Sequence, residues 1–324
     1  MTTLLLHHQA SLAHENPPGH PERVDRIKAI NQILSHSHFK LLKRKQAPLA
    51  RDEDIIRAHP DGYLNQIREA SPEESFAQID MDTFMSPGTL EAALRGAGAA
   101  VAAVDAVFSG EADNAFCAMR PPGHHAEARR AMGFCLFNNA AIAALYARAR
   151  YDAERVAVVD FDVHHGNGTQ DIFWTDGDLF YGSTHQMPLY PGSGAASETG
   201  VGNIFNAPLH EGDGGAEFRT AMATRILPAL DAFGPDLVII SAGFDAHHED
   251  PLGGLNLTEE DFVWATLNLM DVADKHAEGR VVSVLEGGYD IRALSASVAS
   301  HVQALIRGSG EVARIDDEDD EDGE

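Results

Sequence analysis

Short apolar runs alternate along this chain with longer segments of helical spacing. Residues 156–159 read Val-Ala-Val-Val, 236–241 read Asp-Leu-Val-Ile-Ile-Ser and 281–285 read Val-Val-Ser-Val-Leu. Runs of this length, rich in β-branched residues, mark strands buried on both faces of a parallel sheet. Residues 3–7, 115–119 and 179–185 are further strand candidates. Between them, residues 22–34 carry Val24, Ile27, Ile30 and Ile33 at helical spacing, and 91–108 form an Ala-rich segment whose small residues suit close packing on a sheet. Residues 52–58, 61–70, 138–150, 169–174, 216–233, 259–276 and 292–306 also read as helices, with Asn138 or Asn139 capping one and Thr258 another. Residues 13–21, 80–88, 186–203 and 247–256 read as loops. Strands and helices alternate throughout and no repeat is visible, which predicts one α/β domain with a mostly parallel sheet between helix layers. Residues 308–324 are poor in apolar side chains and dense in acids. They are expected to be a disordered tail, which leaves 1–307 as the folded domain.

The polar residues at two strand ends change the picture. After residues 156–159 come Asp160-Phe161-Asp162-Val163-His164-His165-Gly166-Asn167-Gly168. Ligands bind at the carboxyl ends of strands in open α/β sheets. Asp162 and His164 stand at i and i+2, on one face of an extended segment. One oxygen and one nitrogen ligand make two-thirds of a catalytic zinc site, which keeps its fourth position open. The run 236–241 repeats the design and stops at Asp245, the candidate third ligand. Two Asp and one His suit Zn²⁺, with Fe²⁺ or Co²⁺ as alternatives. In Pro121-Pro122-Gly123-His124-His125, prolines and glycine fix a turn that holds two adjacent imidazoles after a strand.

Taken with Glu286-Gly287-Gly288-Tyr289, these segments resemble the histone deacetylase family, including the acetylpolyamine amidohydrolases. The resemblance runs from about His20-Pro21-Glu22-Arg23 to about residue 306, in the family's motif order. The Glu286–Tyr289 motif and Asn167 are similar to the class II branch. The resemblance implies an arginase/deacetylase-like fold of about eight strands, one zinc ion per chain and hydrolysis of an acetyl amide to an amine and acetate. It makes His125 the general base and then acid, with His124 beside it as an electrostatic partner, Asp160 supporting His124 and Asn167 supporting His125. Tyr289 then donates its O–H to the oxyanion. Asp160, Asp162, His164, Ser183 and Thr184 resemble the family's inner K⁺ or Na⁺ site. Gly133 and Phe134 match its tunnel, and Tyr190 stands where much of the family has phenylalanine. Arg26 matches an arginine beside an internal channel.

Composition narrows the partners. The chain has 324 residues, 44% of them hydrophobic, and a formal charge of −26. That charge argues against nucleic acid, whose phosphates it would repel, and is compatible with cationic substrates. The expected substrate is an acetyl-lysine side chain or a small acetylated amine such as an acetylpolyamine. No apolar run is long enough to span a bilayer, and no secretory signal is visible. Cys117 and Cys135 lie in apolar contexts and read as free thiols, which favours a reducing, cytoplasmic setting. Self-association is left open. A catalytically silent acyl-amine binder would have lost a ligand, a histidine or the tyrosine, and none is lost.

Overall fold

Each core strand alternates its side chains between two apolar layers, as the two-residue period of a strand requires. Leu4 and Leu6, Val156 and Val158, and Leu237 and Ile239 enter one core. Leu5, Ala157 and Val159, and Val238 and Ile240 enter the other. The computed structural model describes residues 1–308, so the expected acidic tail, Gly308 excepted, lies outside the described residues. In chain order the strands are β1 Thr3–His7, β2 Lys43–Gln46, β3 Ala77–Gln78, β4 Phe84–Met85, β5 Asn114–Ala118, β6 Val156–Asp160, β7 Leu179–Gln186, β8 Ile204–Leu209, β9 Leu237–Ala242 and β10 Val281–Leu285. The helices are α1 Val24–Leu34, α2 Asp52–Ile55, α3 Asp61–Glu69, α4 Thr89–Phe108, α5 Asn139–Tyr151, α6 Asn167–Phe173, α7 Gly215–Ala221, α8 Leu227–Phe233, α9 Glu259–His276 and α10 Ile291–Arg307.

Eight strands form one sheet in the order β2-β1-β5-β10-β9-β6-β7-β8, and every pairing in it is parallel. Residues of α3, α4 and α5 pack on one face, and residues of α1, α8, α9 and α10 on the other. This is the expected sheet between helix layers. Because all eight strands run the same way, their carboxyl ends share one rim, and β6, β9 and β10 bring the predicted site segments side by side there.

Several expected boundaries shift. β2 is the sequence Lys-Arg-Lys-Gln, exposed throughout, and β8 also was not expected. The short β3–β4 ribbon reaches into the expected 80–88 loop. The expected helix at 52–58 stops at Ile55, ahead of His59-Pro60, in keeping with the restriction that proline places on the residue before it. The segment 216–233 is helical throughout but contains a π turn over Met222–Ile226. Asn138 caps α5 by accepting the Ala141 N–H, and Thr258 opens α9 with Asp261 in a reciprocal capping box. Cys117 and Cys135 are free and buried. No helix among the described residues is long and apolar enough to cross a membrane.

Two buried histidines tie the layers together as neutral rings. Thr266 Oγ1 donates to the Phe262 carbonyl, so it accepts from His301 Nδ1, and Ser283 donates to His301 Nε2. His59 Nε2 accepts the Asn138 N–H at 2.8 Å, and its Nδ1 donates to the Ala128 carbonyl. Burial holds His301 down to about 3 and His59 down to about 4, against an ordinary 6.5. The unfolded chain therefore binds more protons than the folded chain below pH 6.5. The stability these rings contribute is complete above that value and is lost as pH falls toward 4. Each ring should cost about 1.4 kcal/mol per pH unit in that window. Urea midpoints measured from pH 7.5 to 5 are expected to fall below pH 6.5, and a flat profile would contradict the neutral-ring assignment.

Candidate active site

Asp162 and His164 follow β6, and Asp245 follows β9, the neighbouring strand. Their ligand atoms lie within 4.8 Å of one another, and all three residues are buried. His164 Nδ1 is 3.1 Å from Asp162 Oδ1 and 3.1 Å from Asp245 Oδ2. The remaining carboxylate oxygens are held by backbone N–H groups: Gly287 donates to Asp162 Oδ2 at 2.8 Å and Val163 to Asp245 Oδ1 at 2.8 Å. A Cβ at Gly243 would overlap Asp162, and one at Gly287 would overlap both carboxylates. Glycine at both positions is what lets the loops close on the pair. Two buried carboxylates and a ring nitrogen facing one point repel each other unless a cation or proton lies between them. Burial opposes charge on His164, yet hydrogen bonds to Asp162 and Asp245 outweigh it and raise the ring to about 10. Burial, then the charge of Asp162, lifts Asp245 to about 7. This donor set fits one divalent ion of the zinc type.

The cis turn after β5 places two imidazoles beside that point, with ring centroids 4.0 Å apart. His124 Nδ1 donates to Asp160 Oδ2 at 2.9 Å, and His125 Nδ1 pairs with Asn167 Oδ1 at 2.8 Å. Their environments push them apart. Burial opposes charge on His124, but Asp160, Asp162 and Glu286 together raise it well above the ordinary value. His125 is held well below it, by burial first and then by His124 and His164. The two rings are thus driven in opposite directions, the pattern that separates acid and base roles in one site.

Tyr289 follows β10 and is buried. The Arg26 guanidinium lies 4.9 Å from its ring centroid, and Phe134 meets the ring edge-on at 5.9 Å. Tyr190, 37% exposed, stands edge-on to His125 at 5.1 Å, so Phe134 and Tyr190 border the site from different sides. Gly133 has φ +55°, donates its N–H to Asp82, and its carbonyl accepts from the Cys135 thiol at 3.2 Å. Arg26 is fully buried and donates to the Gly288 and Glu286 carbonyls and to Glu22. Asp160 is in register with Ser183 of β7. Ser183 Oγ pairs with His185 Nδ1 at 2.9 Å, while Thr184 Oγ1 is buried without a partner.

The histone deacetylase domain profile matches residues 20–305. The chain belongs to the histone deacetylase family. A histone deacetylase-like amidohydrolase of Pseudomonas aeruginosa is 42% identical over 277 residues, covering 84% of this chain and 73% of that protein. A probable deacetylase of Archaeoglobus fulgidus is 38% identical over 301 residues, covering 90% of this chain and 82% of its own. The crystal structure of the HDA15 HD domain superposes with a TM-score of 0.90 at 35% identity, over 95% of this chain and 89% of that one. Membership of the histone deacetylase family carries the activity class of a deacetylase-type hydrolase.

Three side chains support this histone deacetylase site through contacts that the sequence did not show, although Glu286 stands in one of its motifs. Glu286 accepts the N–H groups of Gly123 and His124, fixing the twin-histidine turn. Asp250 Oδ2 accepts the Tyr289 N–H at 2.6 Å and the Asp290 N–H at 3.2 Å, fixing the tyrosine loop. Glu127 accepts from the Asn167 amide at 2.8 Å. In each case a carboxylate grips a partner 39 or more residues away, so spacing along the chain carries no signal for it.

Proposed function

We propose that this protein hydrolyses acetyl amides of acetyl-lysine side chains or small acetylated amines, releasing acetate, with one zinc ion held by Asp162, His164 and Asp245. The observation that carries this reading is the convergence of those three ligand atoms beside the paired rings of His124 and His125. When bound, the ion supplies Lewis acidity, polarising the amide carbonyl and acidifying a water molecule. His125 Nε2, the ring nitrogen left free by Asn167, takes the proton from that water and later delivers it to the departing amine nitrogen. Without that delivery the C–N bond would expel a poor leaving group. His124, kept cationic by Asp160, offsets negative charge that develops at the carbonyl. Tyr289 donates its O–H to the same oxygen. Phe134 and Tyr190 border the path of an acyl chain, and the Gly133 carbonyl keeps a lone pair for the substrate N–H.

Asp160, Asp162, His164, Ser183 and Thr184 are proposed to hold K⁺ or Na⁺. Hydroxyl lone pairs support this: Ser183 Oγ–H is directed to His185, which leaves its oxygen free to coordinate. The acidic charge of the chain favours cationic substrates, and two free buried thiols suit a reducing, cytoplasmic setting. Turnover of acetyl-lysine peptides and acetylpolyamines, with metal analysis of the same sample, tests the reading. Acetate release that tracks about one zinc per chain is expected. Zinc-loaded protein that releases acetate from neither class would overturn it.

A further inference from the structure

We propose that Glu127 is a positioning residue that fixes the orientation of the Asn167 amide and, through it, the tautomer of His125. The inference rests on the reading of His125 as the general base. An asparagine side chain is ambiguous in a way that an aspartate is not. It offers a carbonyl on one branch and an N–H₂ group on the other, and a half-turn exchanges them. With the carbonyl toward His125, Nδ1 must carry the proton, and Nε2 is a base. With the amide nitrogen toward His125, Nδ1 becomes the acceptor, Nε2 carries the proton, and the ring cannot take one from water.

The contacts of Asn167 resolve the ambiguity. Oδ1 is 2.8 Å from His125 Nδ1, and Nδ2 is 2.8 Å from Glu127 Oε1. A carboxylate accepts and cannot donate, so it selects the amide branch that donates, by a charge-assisted hydrogen bond. The other neighbours of Nδ2, the His125 carbonyl and the Met132 thioether, both at 3.4 Å, are acceptors in longer and weaker contact. Glu127 is itself held still. Its N–H donates to the Arg130 carbonyl at 3.0 Å, and the next N–H, that of Ala128, donates to Asp171 of α6. Asn167 is the first residue of the same helix. Both ends of the Glu127–Asn167 bond are therefore anchored to α6.

The test is a double-mutant comparison with a spectroscopic arm. Glu127→Gln keeps shape but can donate, which permits the amide to turn. It is expected to lower kcat about tenfold, the scale of a lost charge-assisted bond, with little change in KM or zinc content. In an Asn167→Asp background no amide remains to be oriented, and Glu127 faces a second carboxylate at the same short distance. There Glu127→Gln is expected to raise kcat. A purely structural role would lower kcat in both backgrounds and would overturn the proposal. So would an unchanged kcat for Glu127→Gln in an otherwise active enzyme. Nitrogen NMR of the His125 ring reads the tautomer without turnover: Nδ1 protonated in the parent protein, with the Nε2-protonated form appearing in Glu127→Gln. Identical ring spectra in the two would also overturn it. An inactive parent enzyme, by contrast, would count against the general-base reading itself.

Discussion

Tyr289→Phe is expected to lower kcat by about 10²–10³, the usual cost of removing one oxyanion donor, and to leave zinc content and melting temperature unchanged. The substitution removes one hydroxyl and nothing that holds the ring. The Arg26 guanidinium and the Phe134 edge contact the ring, and Asp250 holds the backbone through its N–H. Burial pushes the Tyr289 phenol well above its ordinary value, against the opposing charge of Arg26, so the group remains a donor across the neutral range. In the proposed mechanism that O–H donates to the reacting carbonyl. An interaction made only as charge develops lowers kcat and kcat/KM together. Steady-state kinetics with metal analysis decide the matter, and near-parental turnover by Tyr289→Phe would remove the residue from the mechanism.

Asp245→Ala is expected to abolish zinc retention. Asp245 is fully buried and supplies one of the three converging ligand atoms. Its loss leaves one carboxylate and one imidazole, short of the three protein ligands of a catalytic zinc site. Changes to groups that merely support ligands cost 10–100-fold in metal affinity, so loss of a ligand should exceed about a hundredfold. The Val163 N–H, which Asp245 Oδ1 accepts, would also lose its partner. Metal analysis after dialysis reads the result, and full zinc occupancy in Asp245→Ala would mean that another residue completes the site.

The sequence made the central strands and both ligand-bearing ends legible, for a physical reason. Strands buried on both faces have few residue types to choose from, so β6, β9 and β10 stand out as apolar runs, and any Asp or His at their tips is conspicuous. β2 had no such constraint. Its Lys-Arg-Lys-Gln side chains point to solvent at the sheet edge, and only backbone hydrogen bonds to β1 define it as a strand. β8 is likewise an edge strand, and Pro208 falls inside it. Within the site, Asp162, His164 and Asp245 were readable because each follows a strand. Glu127, Asp250 and Glu286 act on partners that the fold alone brings near. Arg26, matched in the sequence to an arginine beside an internal channel, lies buried beside Tyr289.

The parallel sheet has one further consequence. The catalytic segments all leave the carboxyl ends of strands, while β1 begins at the opposite rim. There Thr3 Oγ1 donates to the Leu305 carbonyl near the end of α10. Met1 and Gly308 adjoin, since a methyl group on Gly308 would meet the Met1 sulfur at 2.9 Å. A tether or affinity handle joined directly to Met1 or Gly308 would start at the rim opposite the site segments. A short splice from Gly308 to Met1, with new ends opened in an exposed loop, offers a route to a circularly permuted protein.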